Sequence, residues 1–221
     1  MAKVCGLEQA TRMIKDGDVV LAGGFYGNGT PEMIVDELLR QGRKNLTIVN
    51  NDGNSAEKGM GRLVAAGQVK KCIFSWCGRL AVLPQLVDEG KVELELCPQG
   101  SLAERIRAGG YGLGGILTPV GLGTIVEEKW GERVHLNGKD WMYHTPIRGN
   151  VAILEADVAD AEGNLVFHLT QRNFNQVMAY AADLVIVQVN RPVLPAGAIA
   201  PQDVHVPGIL VDYLIQGPRT L

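Results

Sequence analysis

The chain has 221 residues, 46% of them hydrophobic and 20% charged, with a formal net charge of −3. That length supports a real core, and the slightly acidic balance excludes a broad nucleic-acid-binding face while leaving room for a local basic spot that holds a phosphate. No apolar run is long enough for a membrane span, and Met1-Ala2-Lys3-Val4-Cys5-Gly6-Leu7 lacks the apolar core of a leader, so a cytoplasmic protein is expected.

In chain order, Leu7 to Lys15 is predicted as a helix, with Leu7, Ala10, Met13 and Ile14 on one stripe and Gly17 as its stop. Val19 to Ala22 reads as a buried strand. The glycine-dense stretch Gly23-Gly24-Phe25-Tyr26-Gly27-Asn28-Gly29 follows. Pro31 to Arg40 reads as a helix, with Thr30 as N-cap and Pro31 at the first helical position. Such a turn lets a ligand approach the backbone, and N–H groups at the helix start then face an anion or a developing oxyanion. A structural turn with no ligand is the alternative.

Leu46 to Val49 is a predicted strand running into Asn50-Asn51-Asp52-Gly53, and Arg62 to Ala66 a short helix. Lys71 to Ser75 is a strand, Leu83 to Asp88 a helix and Val92 to Cys97 a strand. Ser101-Leu102-Ala103-Glu104 reads as a capping box opening a helix through Arg107. The seven glycines of 109–123 predict a long loop that wraps a site or an interface. Val134 to Leu136 and Trp141 to Tyr143, joined through Asn137-Gly138, predict a hairpin. Val151 to Leu154, Asn164 to Phe167 and Leu184 to Val189 are strands, and Asn175 to Ala182 a helix. Pro192 to Pro207 suggests an extended surface arm. Cys5, Cys72, Cys77 and Cys97 form no C-x-x-C pair and read as buried free thiols, with no metal expected.

This alternation predicts an α/β fold: an open, mostly parallel sheet flanked by helices, with an added hairpin. Ligands collect beyond the carboxyl ends of such strands. The loops at Gly23, Asn50, Ser75 and Gln99 each follow a predicted strand and are expected to converge on one edge. No linker-like break divides the chain, so one domain over 1–221 is expected.

Several segments resemble one family. Asp16-Gly17-x-x-Val20-Leu21-Ala22-Gly23-Gly24-Phe25-x-x-x-Gly29-x-Pro31 is similar to the signature of the A-type half of family I CoA-transferases, the 3-oxoacid type. Pro98 to Gly110, Leu117 to Thr124, Ala161 to Leu165, Arg172 to Asn175 and His205 to Ile209 resemble it too, in order along almost the whole chain.

The resemblance implies covalent transfer of CoA between a short-chain acyl-CoA and a free acid such as acetate, butyrate or acetoacetate, with coenzyme A as substrate and no resident cofactor. The thioester is attacked by a glutamate that lies in a Glu-Asn-Gly-type motif of a separate B-type subunit. This chain has no Glu-Asn-Gly, and Glu127-Glu128 and Glu155 lie in other contexts. The implied enzyme is therefore a two-chain assembly, α2β2, inactive without its partner. The resemblance further implies that Gly23, Gly24, Phe25, Tyr26, Gly27, Asn28 and Gly29 bind or border CoA, with N–H groups near Gly27 and Asn28 on the oxyanion. Gln99 would contact the acyl carbonyl, or else tie down its helix. Asn51 would be a pocket residue, or else form a turn. Tyr26-Gly27-Asn28 and Ser75-Trp76-Cys77-Gly78-Arg79 depart from the family pattern. Trp76 narrows an acyl pocket or fills the core, and Arg79 meets an anion or only solvent. Two other readings stay open: a sugar-phosphate isomerase of related fold, and a non-catalytic CoA-binding subunit. The Gly-rich loop reverses the gaps of G-x-G-x-x-G, and Asn50-Asn51 replaces the expected acidic residue, which argues against a dinucleotide site.

Overall fold

The computed structural model describes residues 3–217; Met1 and Ala2, which open the segment read for a leader, and 218–221, which close the predicted 1–221 unit, lie outside the described residues. The elements run β1 (Lys3–Val4), α1 (Leu7–Thr11), β2 (Val19–Ala22), α2 (Glu32–Gln41), β3 (Leu46–Asn50), α3 (Gly61–Ala65), β4 (Val69–Phe74), α4 (Leu83–Asp88), β5 (Glu93–Leu96) and α5 (Gln99–Gly110). There follow β6 (Ile116–Thr118), α6 (Ile125–Trp130), β7 (Glu132–Leu136), β8 (Lys139–His144), β9 (Gly149–Ala156), β10 (Val158–Ala159), β11 (Leu165–Val166), α7 (Asn173–Ala179), β12 (Ala182–Val189) and β13 (Tyr213–Gln216).

Eight strands form one sheet in the order β1-β13-β12-β9-β2-β3-β4-β5, parallel at every pairing. The central strands are buried on both faces, so they read as continuous apolar runs with a hidden period of two. Leu21, Val49, Ile73, Leu154 and Val187 face one core together with Leu102 and Ile106 of α5 and Met178 of α7. Val20, Ile48, Cys72, Ile153 and Ile186 face the other, against Ala10 of α1, Ile34 and Leu38 of α2, Leu63 of α3 and Leu83 of α4. The predicted layering therefore holds.

Chain order carries β2, β3, β4 and β5 outward on one side, then returns β9, β12 and β13 to the other side of β2. The reversal makes the carboxyl ends of β2 and β9 the switch point of the sheet, where a crevice opens.

Several expectations need correction. Helix α1 stops at Thr11, because Met13 and Ile14 tighten into turns onto Ala10 and Thr11 and Lys15 N–H goes to Asp18. In α2, Pro31 is the N-cap and Thr30 makes no cap bond. Helix α5 begins two residues before Ser101, at Gln99, with Pro98 as its N-cap, so Ser101-x-x-Glu104 is no capping box; Glu104 pairs with Arg107 instead. The sequence signature works elsewhere: Thr124 caps α6 by accepting from Val126 N–H, and Glu127 reaches back to Gly123 N–H.

The predicted 109–123 loop supplies the end of α5 and then β6, which joins the Asn137-Gly138 hairpin (β7 and β8) as a three-stranded sheet in the order β6-β8-β7. Asn137 and Gly138 adopt φ of 54° and 72°, the two-residue turn read from the sequence. The 192–207 segment is less of an arm than expected. It lies across β10 and β11, with Ile199 and Val206 buried and Leu165 N–H donating to Val206. Of the four cysteines only Cys72 and Cys97 are buried, Cys5 and Cys77 being half-buried. Burial pushes the Cys72 thiol up to about 12, which makes it inert.

Candidate functional site

The loop after β2 is a miniature hairpin. Phe25 N–H donates to Asn28 O and Asn28 N–H to Phe25 O, both at 3.0 Å, around Tyr26 and Gly27 at φ of 54° and 89°. A left-handed tyrosine is strained, so the surroundings must hold it. They do: Tyr26 N–H donates to Asp52 Oδ2 at 2.7 Å. Gly23 N–H continues the ladder to Ile153 O at 2.9 Å.

The expected pair of open amides is thus reduced. Asn28 N–H is consumed inside the hairpin, while among the described residues nothing accepts from Gly27 N–H. The start of α2 is closed as well. Glu32 N–H donates to Thr30 O at 2.8 Å, Met33 N–H to Gln188 Oε1 of β12 at 3.0 Å, and Pro31 is buried. The reading that this helix start faces an anion fails because a neighbouring strand caps it.

Behind the loop, the switch point is filled by Asn175 of α7, which is fully buried. Its Oδ1 accepts from Glu155 N–H at 3.0 Å, and its Nδ2 donates to Gly29 O at 3.0 Å and Gln171 O at 2.9 Å. A Cβ at Gly23 would overlap Asn175 Oδ1, which is why that position carries no side chain.

A second set of bonds ties the loops after β3, β4 and β5 to the first. Buried Asn51 accepts at Oδ1 from Ser75 Oγ at 2.9 Å and from Gln99 Nε2 at 3.4 Å, and donates through Nδ2 to Asp52 Oδ2 at 2.8 Å. Asp52 Oδ2 is the atom that holds Tyr26. Asn50 Nδ2 donates to Ala22 O at 2.7 Å, and its Oδ1 accepts from Gly53 N–H at 2.8 Å. The predicted convergence at one edge is therefore present as one hydrogen-bonded relay, Gln99–Asn51–Asp52–Tyr26.

Two adjoining cavities open over this relay and share Phe25 and Asn173. One, of about 550 Å³, is lined by Phe25, Tyr26, Asn28, Thr170 and Asn173; the other, of about 210 Å³, adds Gln99, Ala103, Phe174 and Val177. Gln99 is exposed at the second wall, whereas Asn51 lies beneath it. None of these lining residues is an aspartate or a glutamate. Glu155 stands behind the loop; burial pushes its carboxyl up, with hydrogen bonds from Gln171 and Asn190 opposing, and both bonds land on Oε1. Glu127, on α6, is held by Arg133 of β7.

Trp76 is not core: it is 46% exposed, with its ring 6.4 Å from that of Tyr26. None of the cavity-lining residues is a histidine, and His205 Nδ1 accepts from Phe167 N–H. Asp52, Asn173 and Asn175 were not singled out from sequence. The Asn-Asn-Asp-Gly and Arg-Asn-Phe-Asn stretches are their only local signals, since nothing adjacent to either indicates the other. Among the described residues no helix is long and apolar enough to cross a membrane.

A family model described as Coenzyme A transferase matches residues 6–217. The chain is 38% identical over 213 residues to the alpha chain of an acetate CoA-transferase of Escherichia coli K12, covering 96% of each chain. It is 41% identical over 211 residues to the A-type half of a 3-oxoadipate CoA-transferase of Acinetobacter baylyi, covering 95% of this chain and 92% of the relative. An acyl-CoA transferase of Escherichia coli O157:H7, solved as a thioester complex with CoA, superposes with a TM-score of 0.89 at 22% identity. That likeness covers 100% of this chain but 48% of the other, so this chain spans about half the length of that structure.

Proposed function

The chain belongs to the coenzyme A transferase family as a subunit of the A type, and from that premise we propose that it forms the thioester-binding half of a two-chain enzyme. A B-type subunit supplies the attacking glutamate. The observation that carries this reading is the pair of cavities at the switch point: they are bordered by the Gly23–Gly29 loop and Gln99, and no carboxylate lines them.

In this reading the partner's carboxylate attacks the thioester carbonyl and CoA thiolate leaves, giving an acyl-glutamyl anhydride. The thiolate then attacks the glutamyl carbonyl of the anhydride. The first acid departs as its carboxylate, and a glutamyl-CoA thioester remains. The second acid repeats the two steps in reverse order and leaves as the new acyl-CoA. A carboxylate is a weak nucleophile, so the chain's task is positioning and charge stabilisation. Gly27 N–H and Gln99 Nε2 are the donors assigned to the oxyanion, with Asn51 and Asp52 fixing both from below. Short-chain acids are the proposed substrates and α2β2 the proposed assembly.

The test is a CoA-transferase assay on the purified chain with and without a co-expressed B-type chain. Turnover is expected only with both, and borohydride reduction during turnover is expected to trap the partner's glutamate. Robust turnover by this chain alone would refute the division of labour. CoA binding without any stimulation of a partner would favour a non-catalytic role.

A further inference from the structure

Arg79 takes no part in the relay described above, yet it stands at the rim of the same site. Its guanidinium carbon lies 3.9 Å from the centroid of the Tyr26 ring. Trp76 flanks Tyr26 from the other loop, and a Cβ at Gly78 would strike the indole, so this turn is shaped around the two rings. Arg62, Arg105, Arg133 and Arg148 are all neutralised by carboxylates. Arg79 is exposed, and among the described residues no carboxylate pairs with it.

Stacking on a ring face fixes the plane of a guanidinium and leaves its edge N–H groups pointing outward. A fork held by an aromatic face is pre-organised for a carboxylate or phosphate that arrives with a ligand, because the side chain's entropy is already spent. We propose that Arg79, braced on Tyr26, is a specificity residue that binds a second anionic group of the substrate, in addition to the reacting carboxyl or thioester. This rests on the proposed reading of the cleft. Two sources share that chemistry: the remote carboxylate of a dicarboxylic acid and a phosphate of CoA. Tyr26 precedes Gly27, so the guanidinium lies within about 10 Å of the Gly27 amide, given 3.8 Å between consecutive Cα atoms and one tyrosine side chain. That short reach favours a four- to six-carbon diacid.

In the assembled enzyme, Arg79→Ala is expected to lower the kcat/KM ratio of succinate over acetate about tenfold, and Arg79→Lys, which keeps the charge but not the fork, by less. A fall instead in the ratio of acyl-CoA over its 3′-dephospho form assigns the fork to the coenzyme's phosphate. If neither ratio moves, the proposal is wrong. A measurement independent of turnover separates this from failure of the transferase reading: phenylglyoxal labelling of Arg79 in the full chain, read by mass spectrometry. Protection by succinate or CoA but not by acetate supports the assignment; equal labelling with all three overturns it.

Discussion

Gln99 and Asn51 were both expected at the pocket, and they differ in what they can do there. Gln99 is exposed at the cavity wall and makes one long bond, to Asn51. Asn51 is buried, and its carbonyl oxygen already accepts two bonds. A side chain with free donor capacity can meet a developing negative charge; one whose atoms are engaged can only position another. In the assembled enzyme, Gln99→Ala is expected to lower kcat by about 10- to 100-fold while the complex stays intact. Unchanged kinetics in a complex of normal size on a sizing column would demote Gln99 to a helix anchor. Asn51→Ala is expected to act through Gln99, so the double variant should lose no more than the worse single one. Additive losses in that cycle would separate the two residues. Trp76 and Arg79 could not be placed from sequence at all, because core and rim positions accept the same residue types and only the fold tells them apart.

At the scale of elements, the Gly23–Gly29 hairpin depends on α7, a helix about 150 positions later in the chain. Gly23→Ala is expected to force Asn175 aside and break its bonds to Glu155, Gly29 and Gln171, costing about 1–3 kcal/mol. A thermal melt checks the stability loss, and an unchanged melting temperature would mean that the helix start gives way freely.

The Glu95–Arg105 pair joins β5 to α5, the helix that Gln99 opens, at 2.6 Å and almost fully enclosed. Burial pushes the Glu95 carboxyl up, but Arg105 and then Lys71 outweigh it, so the group sits below the usual carboxylate range. A depressed carboxyl adds stability at pH values above its unfolded pKa and loses it as the pH falls through the folded one. The melting temperature should therefore drop below about pH 4, and Glu95→Gln should flatten that part of the profile. Glu95→Ala leaves Arg105 uncompensated, at an expected cost of about 3–5 kcal/mol.

For the whole molecule, the layered α/β architecture was legible because the central strands are short apolar runs separated by amphipathic helices. The order of the strands was not. Nothing in Val151 to Leu154 says that this strand returns to lie beside Val19 to Ala22, yet that return makes the switch point. The same blindness explains the 109–123 segment: glycine density signals freedom of the backbone, and the partner that orders it, β8, lies some 25 residues downstream. Exposed Leu113, Leu117, Val120 and Ile125 cluster around this segment. If the two-chain reading is right, co-expression with a B-type partner should shift the chain to a larger species on a sizing column.

The sequence by itself determined the central strands and most of the helices that flank them, the layering of the sheet, the Asn137-Gly138 turn and the family, because each is written in local propensity, in period or in contiguous motifs; β1, β6, α6 and β13 were not legible in it. Only the tertiary structure decided which amides stay open, which helix start is capped, that Asn51 lies under Gln99, and that Arg79 rests on Tyr26. Each of these depends on groups from distant strands meeting at one edge, and hydrogen-bond partners separated by tens of residues leave no periodic trace in either stretch.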